Sequence, residues 1–582
     1  MSVRYRVVPF APHEHLFQVE AFFPAREGPL DFWMPVWTPG SYLVREYARH
    51  VQDLTATSGD GSALRVERVD KATWRVHGTG SPEVQLRYRV YANDLTVRTN
   101  HLDGSHGFFN GAALFLTSDE HRAQPCLVDL VLPASWQPFC ALPFEDGLFC
   151  ARDYDELVDS PVEMGPDSSF GFVAAGKPHQ VVGWGQGNHD PALVAGDLRT
   201  LCEVEARMFG GLPCSRYLFI VLLTDKGRGG LEHAHSCTLL TPRTSFRPRK
   251  SYEDFLTLAA HEYFHLWNVK RIKPRALVPF DYRNESYTTL LWAMEGITSY
   301  YDTLILRRAG FVDGARYLCK LGEVITAVES APGRRTLPLS EASRLAWIKH
   351  YRPDENTPNS AVSYYAKGEV VAALLDLEIR RRTVGARSLD DLMRLLFTRF
   401  GEGAGVPEDG VEAAATEITG GDLAGFFDRT VRSAEELDYG VFGSAGLVLR
   451  RRARRSGADR GGTPADDDAG EKCWLGVDLK AGDRAVVSTT FSGSPATRAG
   501  LYPDDEIVAL DGLRTNSSTL AERLEERIVG ETVFLSVFRR ERLLELELRL
   551  EARPATACWL EKIANPSPAQ RSLYQAWLGE PF

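Results

Sequence analysis

Up to about residue 177 the apolar positions come in short alternating runs. Arg4 to Val8, Leu16 to Phe23, Thr73 to His77, Val84 to Tyr91 and Cys126 to Leu132 are rich in Val, Tyr and Phe, and Pro, Gly, Asp and Asn clusters separate them. A period of two with turn residues between runs predicts half-buried strands, so residues 1–177 read as an N-terminal all-β domain, sandwich-like or saddle-shaped. The stretch Trp37-Thr38-Pro39-Gly40-Ser41-Tyr42 is a turn signal among aromatic residues and reads, on spacing alone, as a structural corner. The pattern changes near Pro178. Arg216 to Thr224 is a continuous apolar strand that runs into a glycine-rich loop, Gly227 to Gly230. A period of 3.6 then governs Ser251 to Lys270, Thr288 to Arg308, Ala361 to Arg381 and Ser388 to Phe400. Strands followed by long helices predict an α+β, largely helical catalytic domain over 178–449.

Residues 450–472 read as a linker. An Arg cluster, Arg450 to Arg455, leads through Gly and Pro to Asp466-Asp467-Asp468, with few apolar side chains to bury. Residues 473–553 form another compact segment. Trp474-Leu475-Gly476-Val477 opens it, Ser494-Pro495-Ala496 and Ala499-Gly500-Leu501 follow, and Asp511-Gly512, a helix from Thr519 to Val529 and two strands close it. This order resembles a PDZ domain, and the resemblance places Trp474, Leu475 and Gly476 where that family receives a peptide's C-terminal carboxylate. The ligand of such a site would be a C-terminal peptide of a substrate, a partner or this chain's own Phe582. Residues 554–582 read as a C-terminal tail.

Composition narrows the classes. The 582 residues are 44% hydrophobic and 25% charged, as in a globular, multidomain protein. Lys plus Arg is 67 against 78 Asp plus Glu, a net charge of -11, which disfavours a nucleic-acid binder. No apolar run approaches the ~18 residues of a membrane span, and Met1 to Phe10 lacks the apolar region of a secretory signal. Nine cysteines lie scattered without a C-x-x-C pair. These features together predict a cytoplasmic protein with reduced, buried thiols.

The candidate chemistry lies in His261-Glu262-Tyr263-Phe264-His265. Ser251 and Asp254 resemble a capping box at the start of a helix, and Lys270, Arg271 and Lys273 suit its end, before Pro274. On that helix the two imidazoles, four residues apart, share one face and reach one ion, and Glu262 can touch a water held by the metal. This is the zinc-protease spacing, and chance placement gives roughly 0.02 such motifs in a chain of this length. A catalytic zinc takes three protein ligands and keeps one position open. Glu295, in the next helical pattern (Leu291 to Tyr300), is the candidate third ligand, and Gly296 beside it costs ~1 kcal/mol in a helix, which points to a close approach. One Zn²⁺, preferred over cobalt or manganese on ligand type, is the implied cofactor.

His261 to Arg271 together with Trp292-Ala293-Met294-Glu295-Gly296 resembles the glycyl aminopeptidase family of zinc metallopeptidases, which are gluzincins. The resemblance extends over most of the chain, taking in Trp37 to Tyr42 and the PDZ-like segment. It implies zinc on His261, His265 and Glu295, Glu262 as general base, and hydrolysis that releases a small first residue, Gly or Ala. Similarity to the wider gluzincin aminopeptidases adds two positions. Their Tyr-x-Lys-Gly stretch reads Tyr365-Ala366-Lys367-Gly368 here, which makes Tyr365 the oxyanion donor, with Tyr364 competing. Their Gly-x-Met-Glu-Asn stretch reads Gly229-Gly230-Leu231-Glu232-His233, which makes Glu232 the partner of the substrate's α-ammonium, while Gly229 and Gly230 let the substrate backbone come close. Two alternatives stay open: a zinc endopeptidase or oligopeptidase with the same site, and a PDZ-based peptide-binding scaffold without catalysis.

Overall fold

The alternating runs become strands, and the burial pattern follows the alternation. In the computed structural model, which describes every residue except 1, 26, 79, 167 and 465–470, the first strand is Val3–Ala11 (β1), with Val3, Tyr5 and Val7 turned inward. It pairs antiparallel with Leu16–Pro24 (β2), and the register sets Tyr5 opposite Ala21 and Val7 opposite Val19. Val51–Ser58 (β3), Glu83–Tyr91 (β4), Cys126–Leu130 (β5) and Leu148–Ala151 (β6) extend this to an eight-stranded sheet of central order β6-β5-β1-β2-β4-β3. A four-stranded and a three-stranded sheet complete the N-terminal region, which is sheet-rich as expected.

A second large sheet carries the site. Its order is Ser169–Ala174 (β7), Lys177–Trp184 (β8), Tyr217–Thr224 (β9), Ser236–Pro242 (β11) and, at the edge, Gly229–Glu232 (β10). β8, β9 and β11 run parallel, and β10 is antiparallel to β11. Every residue of β9 is buried, which explains its continuous apolar run. The helix Pro191–Phe209 (α1) makes the crossover from β8 to β9, capped by Asp190 at its start and Gly210 at its end. Because the hairpin β7–β8 belongs to this sheet, the expected division between residues 177 and 178 falls at the start of β8 rather than between two sheets. Gly229 and Gly230, expected in a loop, are strand residues.

The helix Arg249–Phe264 (α2) packs on β10 and β11. Pro248 precedes it and no side chain caps it, so the expected box of Ser251 and Asp254 does not form; both residues lie inside the helix. It stops six residues short of the expected Lys270. The N–H of Lys270 turns back to the carbonyl of His265, and that of Ile272 to Trp267.

The chain forms two compact units: Met1–Ser286 with Phe397–Val406, and Tyr287–Leu396 with Pro407–Phe582. The second opens with a π-helical turn, Trp292–Gly296, that continues into Ile297–Arg308 (α3). Gly314–Ser330 (α4) and Tyr364–Arg382 (α5) pack beside it. A Cβ on Gly296 would stand 2.4 Å from the Gly368 Cα of α5, so the close approach expected at Gly296 is backbone on backbone.

Two expectations for the C-terminal part are corrected. Leu447–Arg452 (β12) is a strand, so the linker does not begin at residue 450. Arg450 forms an ion pair with Glu561 at 2.7 Å, and Arg452 is buried on Asp459. The partner of β12 is Ala557–Lys562 (β18), and Pro568–Leu578 forms a helix (α7) that buries Tyr574, Trp577 and Leu578. Residues 554–582 are therefore built into the second unit. Trp577 donates to the Tyr300 hydroxyl at 2.8 Å, and Phe582 packs on Tyr574, so the chain's own C-terminus does not lie in the Trp474 loop. Asp466-Asp467-Asp468 lies outside the described residues. Between β12 and β18, the strands Val477–Leu479 (β13), Ala485–Thr490 (β14), Glu506–Leu510 (β15), Thr532–Arg539 (β16) and Arg542–Arg549 (β17) form a sheet in that order, with Ser517–Glu525 (α6) packed against it. Among the described residues no helix is long and apolar enough to cross a membrane.

Candidate active site

The first unit places His261 and Glu262 on α2, His265 at the residue that caps its C-terminal end, and Gly229, Gly230 and Glu232 on β10. Tyr263 anchors the helix, its ring among Tyr217 and Phe219 of β9 and its hydroxyl 2.9 Å from His179 Nε2. His261 and His265 follow one another on the helix face, ring centroids 4.7 Å apart. The Nδ1 of His265 lies 2.5 Å from the carbonyl of Asn268. A carbonyl only accepts, so Nδ1 carries the proton and Nε2 presents its lone pair, as a metal ligand requires.

Residues of β10 alternate in direction, so Gly230 and Glu232 face the same side. A Cβ on Gly230 would stand 1.9 Å from Glu262 Oε1, and the Glu262 carboxylate occupies the space a side chain would need. Gly40, at φ +86°, does the same for Glu232, whose two oxygens lie 2.5 Å from where its Cβ would be. The Trp37–Tyr42 corner is thus more than a turn: it supplies the floor under an acidic residue. Carboxylate oxygens of Glu232 and Glu262 and a ring nitrogen of His265 all lie within 4.8 Å of one another. Glu232 is 3% exposed, and its Oε1 has no hydrogen-bond partner among the described residues. Two buried carboxylates, one from β10 and one from α2, thus come together beside the His265 ring.

Asp159 ties the end of β10 to the segment after α2. Its carboxylate accepts from Lys270 Nζ at 2.6 Å and the Ala234 N–H at 2.8 Å, and lies 3.2 Å from His233 Nδ1. Burial alone would raise its pKa, yet the Lys270 charge and the His233 bond hold it below the usual carboxylate range. His233 stands where the related pattern has Asn, and it anchors the turn that follows Glu232.

The second unit assembles Glu295, Tyr364, Tyr365 and one residue the sequence did not mark, His350. Glu295, on the π-helical turn, is 2% exposed. Burial pushes the Tyr365 phenol up, and the nearby Glu295 charge adds to this. His350 stacks on Tyr365, centroids 5.2 Å apart, and burial lowers its pKa. Tyr364 is fully buried in α5, whereas Tyr365 is partly exposed and lines a cavity with Ser363, Ala366 and Glu369. In the C-terminal module Gly476, at φ +87°, is pressed against Ser494, whose hydroxyl donates to its carbonyl at 3.2 Å. Trp474 stacks on Phe491.

Comparison with known families matches residues 4–166 to the Peptidase M61 N-terminal domain and residues 254–371, which include all three proposed metal ligands, to the M61 glycyl aminopeptidase. A crystal structure described as an aminopeptidase N family protein from Idiomarina loihiensis shares 32% identity, covers 99% of this chain and 100% of its own, and superposes with a TM-score of 0.94. The chain belongs to the M61 glycyl aminopeptidase family. It is a metallopeptidase, a hydrolase of peptide bonds. An M1 zinc metallopeptidase from Deinococcus radiodurans is more distant, at 14% identity over 75% of this chain and 95% of its own, with a TM-score of 0.46. No curated protein matches the M61 chain described here.

Proposed function

We propose that this M61 chain is a zinc aminopeptidase that removes one small N-terminal residue, Gly or Ala, from peptides. The observation that carries the reading is Glu232: a buried carboxylate oxygen without a hydrogen-bond partner among the described residues, beside Glu262, on the edge strand of the sheet. A free α-ammonium supplies the missing positive charge and the missing donors.

His261, His265 and Glu295 would hold the ion. Two imidazoles and a carboxylate are a zinc donor set, and the tautomer fixed at His265 fits ligation through Nε2. Zinc bound there would supply Lewis acidity to polarise the scissile carbonyl and to bring a water towards a pKa of ~7. Glu262 takes the proton from the attacking water and returns it to the leaving amine. The Tyr365 phenol, kept protonated by its raised pKa, donates to the oxygen that gains negative charge. The partial exposure of Tyr365 favours it over the buried Tyr364. Gly230 leaves room for Glu262 and lets substrate backbone approach β10. The preference for Gly rests on the family's description as glycyl aminopeptidases, and Ala is added as the next smallest side chain.

The C-terminal module is proposed to be PDZ-like and to bind a C-terminal peptide. Its edge strand β13 and helix α6 flank a cavity of about 620 Å³, lined by Trp474, Leu475, Gly476, Leu520 and Leu524. An extended peptide would add to β13, with its carboxylate at the Trp474 loop. Nine cysteines without a disulfide fit a reducing, cytoplasmic setting.

The test compares Ala-Ala-Ala with its N-acetyl form, using Glu262→Gln as control. The free peptide is expected to be cleaved about 10–100 times more efficiently, and Glu232→Gln to erase that difference. Equal turnover of the two peptides would replace this reading with an endopeptidase. Turnover by the Glu262→Gln protein would remove Glu262 from its role.

A further inference from the structure

We infer that Arg98 binds the C-terminal carboxylate of the substrate, and that the preferred substrates of this site are free dipeptides and tripeptides. The inference rests on the aminopeptidase reading and adds the substrate's length.

β10 is an edge strand, and its free side can be assigned. The His233 N–H donates to the Ser236 carbonyl at 2.9 Å, which makes that pair the hydrogen-bonded end of the β10–β11 hairpin. Hydrogen-bonded and non-bonded pairs alternate along an antiparallel ladder. The main-chain groups of Glu232 and Gly230, opposite Cys237 and Leu239, therefore point away from β11. Arg98 confirms the direction, since its Nη2 donates to the Gly230 carbonyl at 3.1 Å.

An extended peptide with its amine at Glu232 would add to this edge antiparallel to β10, running from Glu232 towards Gly229. At ~3.3 Å per residue, Glu232 to Gly229 spans about 10 Å, the length of a tripeptide, and Glu232 to Gly230 about 7 Å, the length of a dipeptide. Arg98 stands at that far end. Its Nη1 lies 3.6 Å from where a Cβ on Gly229 would be.

The guanidinium is tied to the Gly230 carbonyl, and the backbone beneath it is fixed on both sides. The Arg98 backbone N–H donates to Thr96 Oγ1 at 3.1 Å, and the Arg98 carbonyl accepts from the buried Tyr47 hydroxyl at 2.8 Å. Its Nε is buried without a partner, and among the described residues it makes no hydrogen bond or ion pair with a carboxylate. A cation with spare donors, placed one short peptide's length from an anion with a spare acceptor, matches a zwitterion at both ends.

Four peptides separate this inference from the reading beneath it: Ala-Ala-Ala, its C-terminal amide, its N-acetyl form and Ala-Ala-Ala-Ala-Ala. The wild-type protein is expected to cleave the free acid with kcat/KM about tenfold or more above the amide and the pentapeptide, the difference lying in KM. Arg98→Ala is expected to bring the acid-to-amide ratio close to one, and Arg98→Lys to restore part of it. Equal kcat/KM for acid and amide in the wild type would overturn the inference while leaving the aminopeptidase reading in place. So would an Arg98→Ala protein that loses acid and amide turnover in equal measure, since that is a structural effect. Acetylated and free peptides cleaved alike, or no turnover of any of the four, would sink both.

Discussion

Gly230 and Gly476 both lie in segments that the sequence marks for contact with a peptide, and the structure gives them opposite neighbours. Above Gly230 sits the carboxylate of Glu262, a charged group brought from another element and buried there. Above Gly476 sits Ser494, 18 positions along the chain, whose hydroxyl donates to the Gly476 carbonyl. A missing side chain in the first case makes room for the proposed general base. In the second it makes room for the chain itself. Gly40 belongs with the first kind, under Glu232, and Gly296 with the second, against the backbone of Gly368. What fills the space over a glycine separates a site from a joint, and a glycine-rich motif alone does not.

The comparison can be broken by paired substitutions. Gly230→Ala is expected to displace Glu262 and lower kcat for Ala-Ala-Ala by about 10²-fold or more, within the range general-base catalysis supplies. Gly476→Ala is expected to cost about 1–3 kcal/mol of stability, through strain at positive φ and the Ser494 contact, with tripeptide kcat kept. A Gly230→Ala protein with full kcat, or a Gly476→Ala protein with kcat lowered as far, would end the distinction.

A third position sharpens it by separating burial from function. Lys367 lies in the Tyr-x-Lys-Gly stretch beside Tyr365, is 1% exposed, and has no hydrogen-bond partner for its amine among the described residues. Burial lowers its pKa from 10.5 to about 8. Between those values the unfolded chain binds more protons than the folded one, so stability rises with pH from about 8 to 10.5. Below that window the charged amine costs roughly 3 kcal/mol. Chemical denaturation at pH 7 and pH 10 is expected to show that rise in the wild type, and Lys367→Met to reduce it and to be the more stable protein at pH 7. A wild-type stability that falls over this interval while Lys367→Met stays level would contradict the assignment.

How far the sequence reached depended on how local each feature was. His261, Glu262 and His265 sit within one helical turn, and their spacing made them legible before any fold was known. Glu232 could be marked because two glycines precede it, but the strand it ends and the Gly40 floor beneath it come from distant segments. Arg98 meets Gly230 across 132 positions, and Asp159 meets His233 and Lys270 across 74 and 111. No periodicity records such pairs, so Arg98, Asp159 and His350 passed as ordinary polar residues. The last residues were misread for another reason. Tyr574, Trp577 and Leu578 stand at helical spacing behind Ser567 and Pro568, a start signal visible in the chain, but polar neighbours masked it. The Arg cluster at residue 450 misled through composition, since Arg450 and Arg452 lie in a strand and are paired with acids.

The central claim is that His261, His265 and Glu295 bind one zinc ion. Elemental analysis of purified protein, dialysed against a weak chelator, tests it most directly. The wild type and Glu262→Gln are expected to hold one zinc per chain, and His265→Ala and Glu295→Ala to hold far less. A wild-type protein that cleaves peptides without stoichiometric metal, or a Glu295→Ala protein that keeps its zinc in full, would contradict the account.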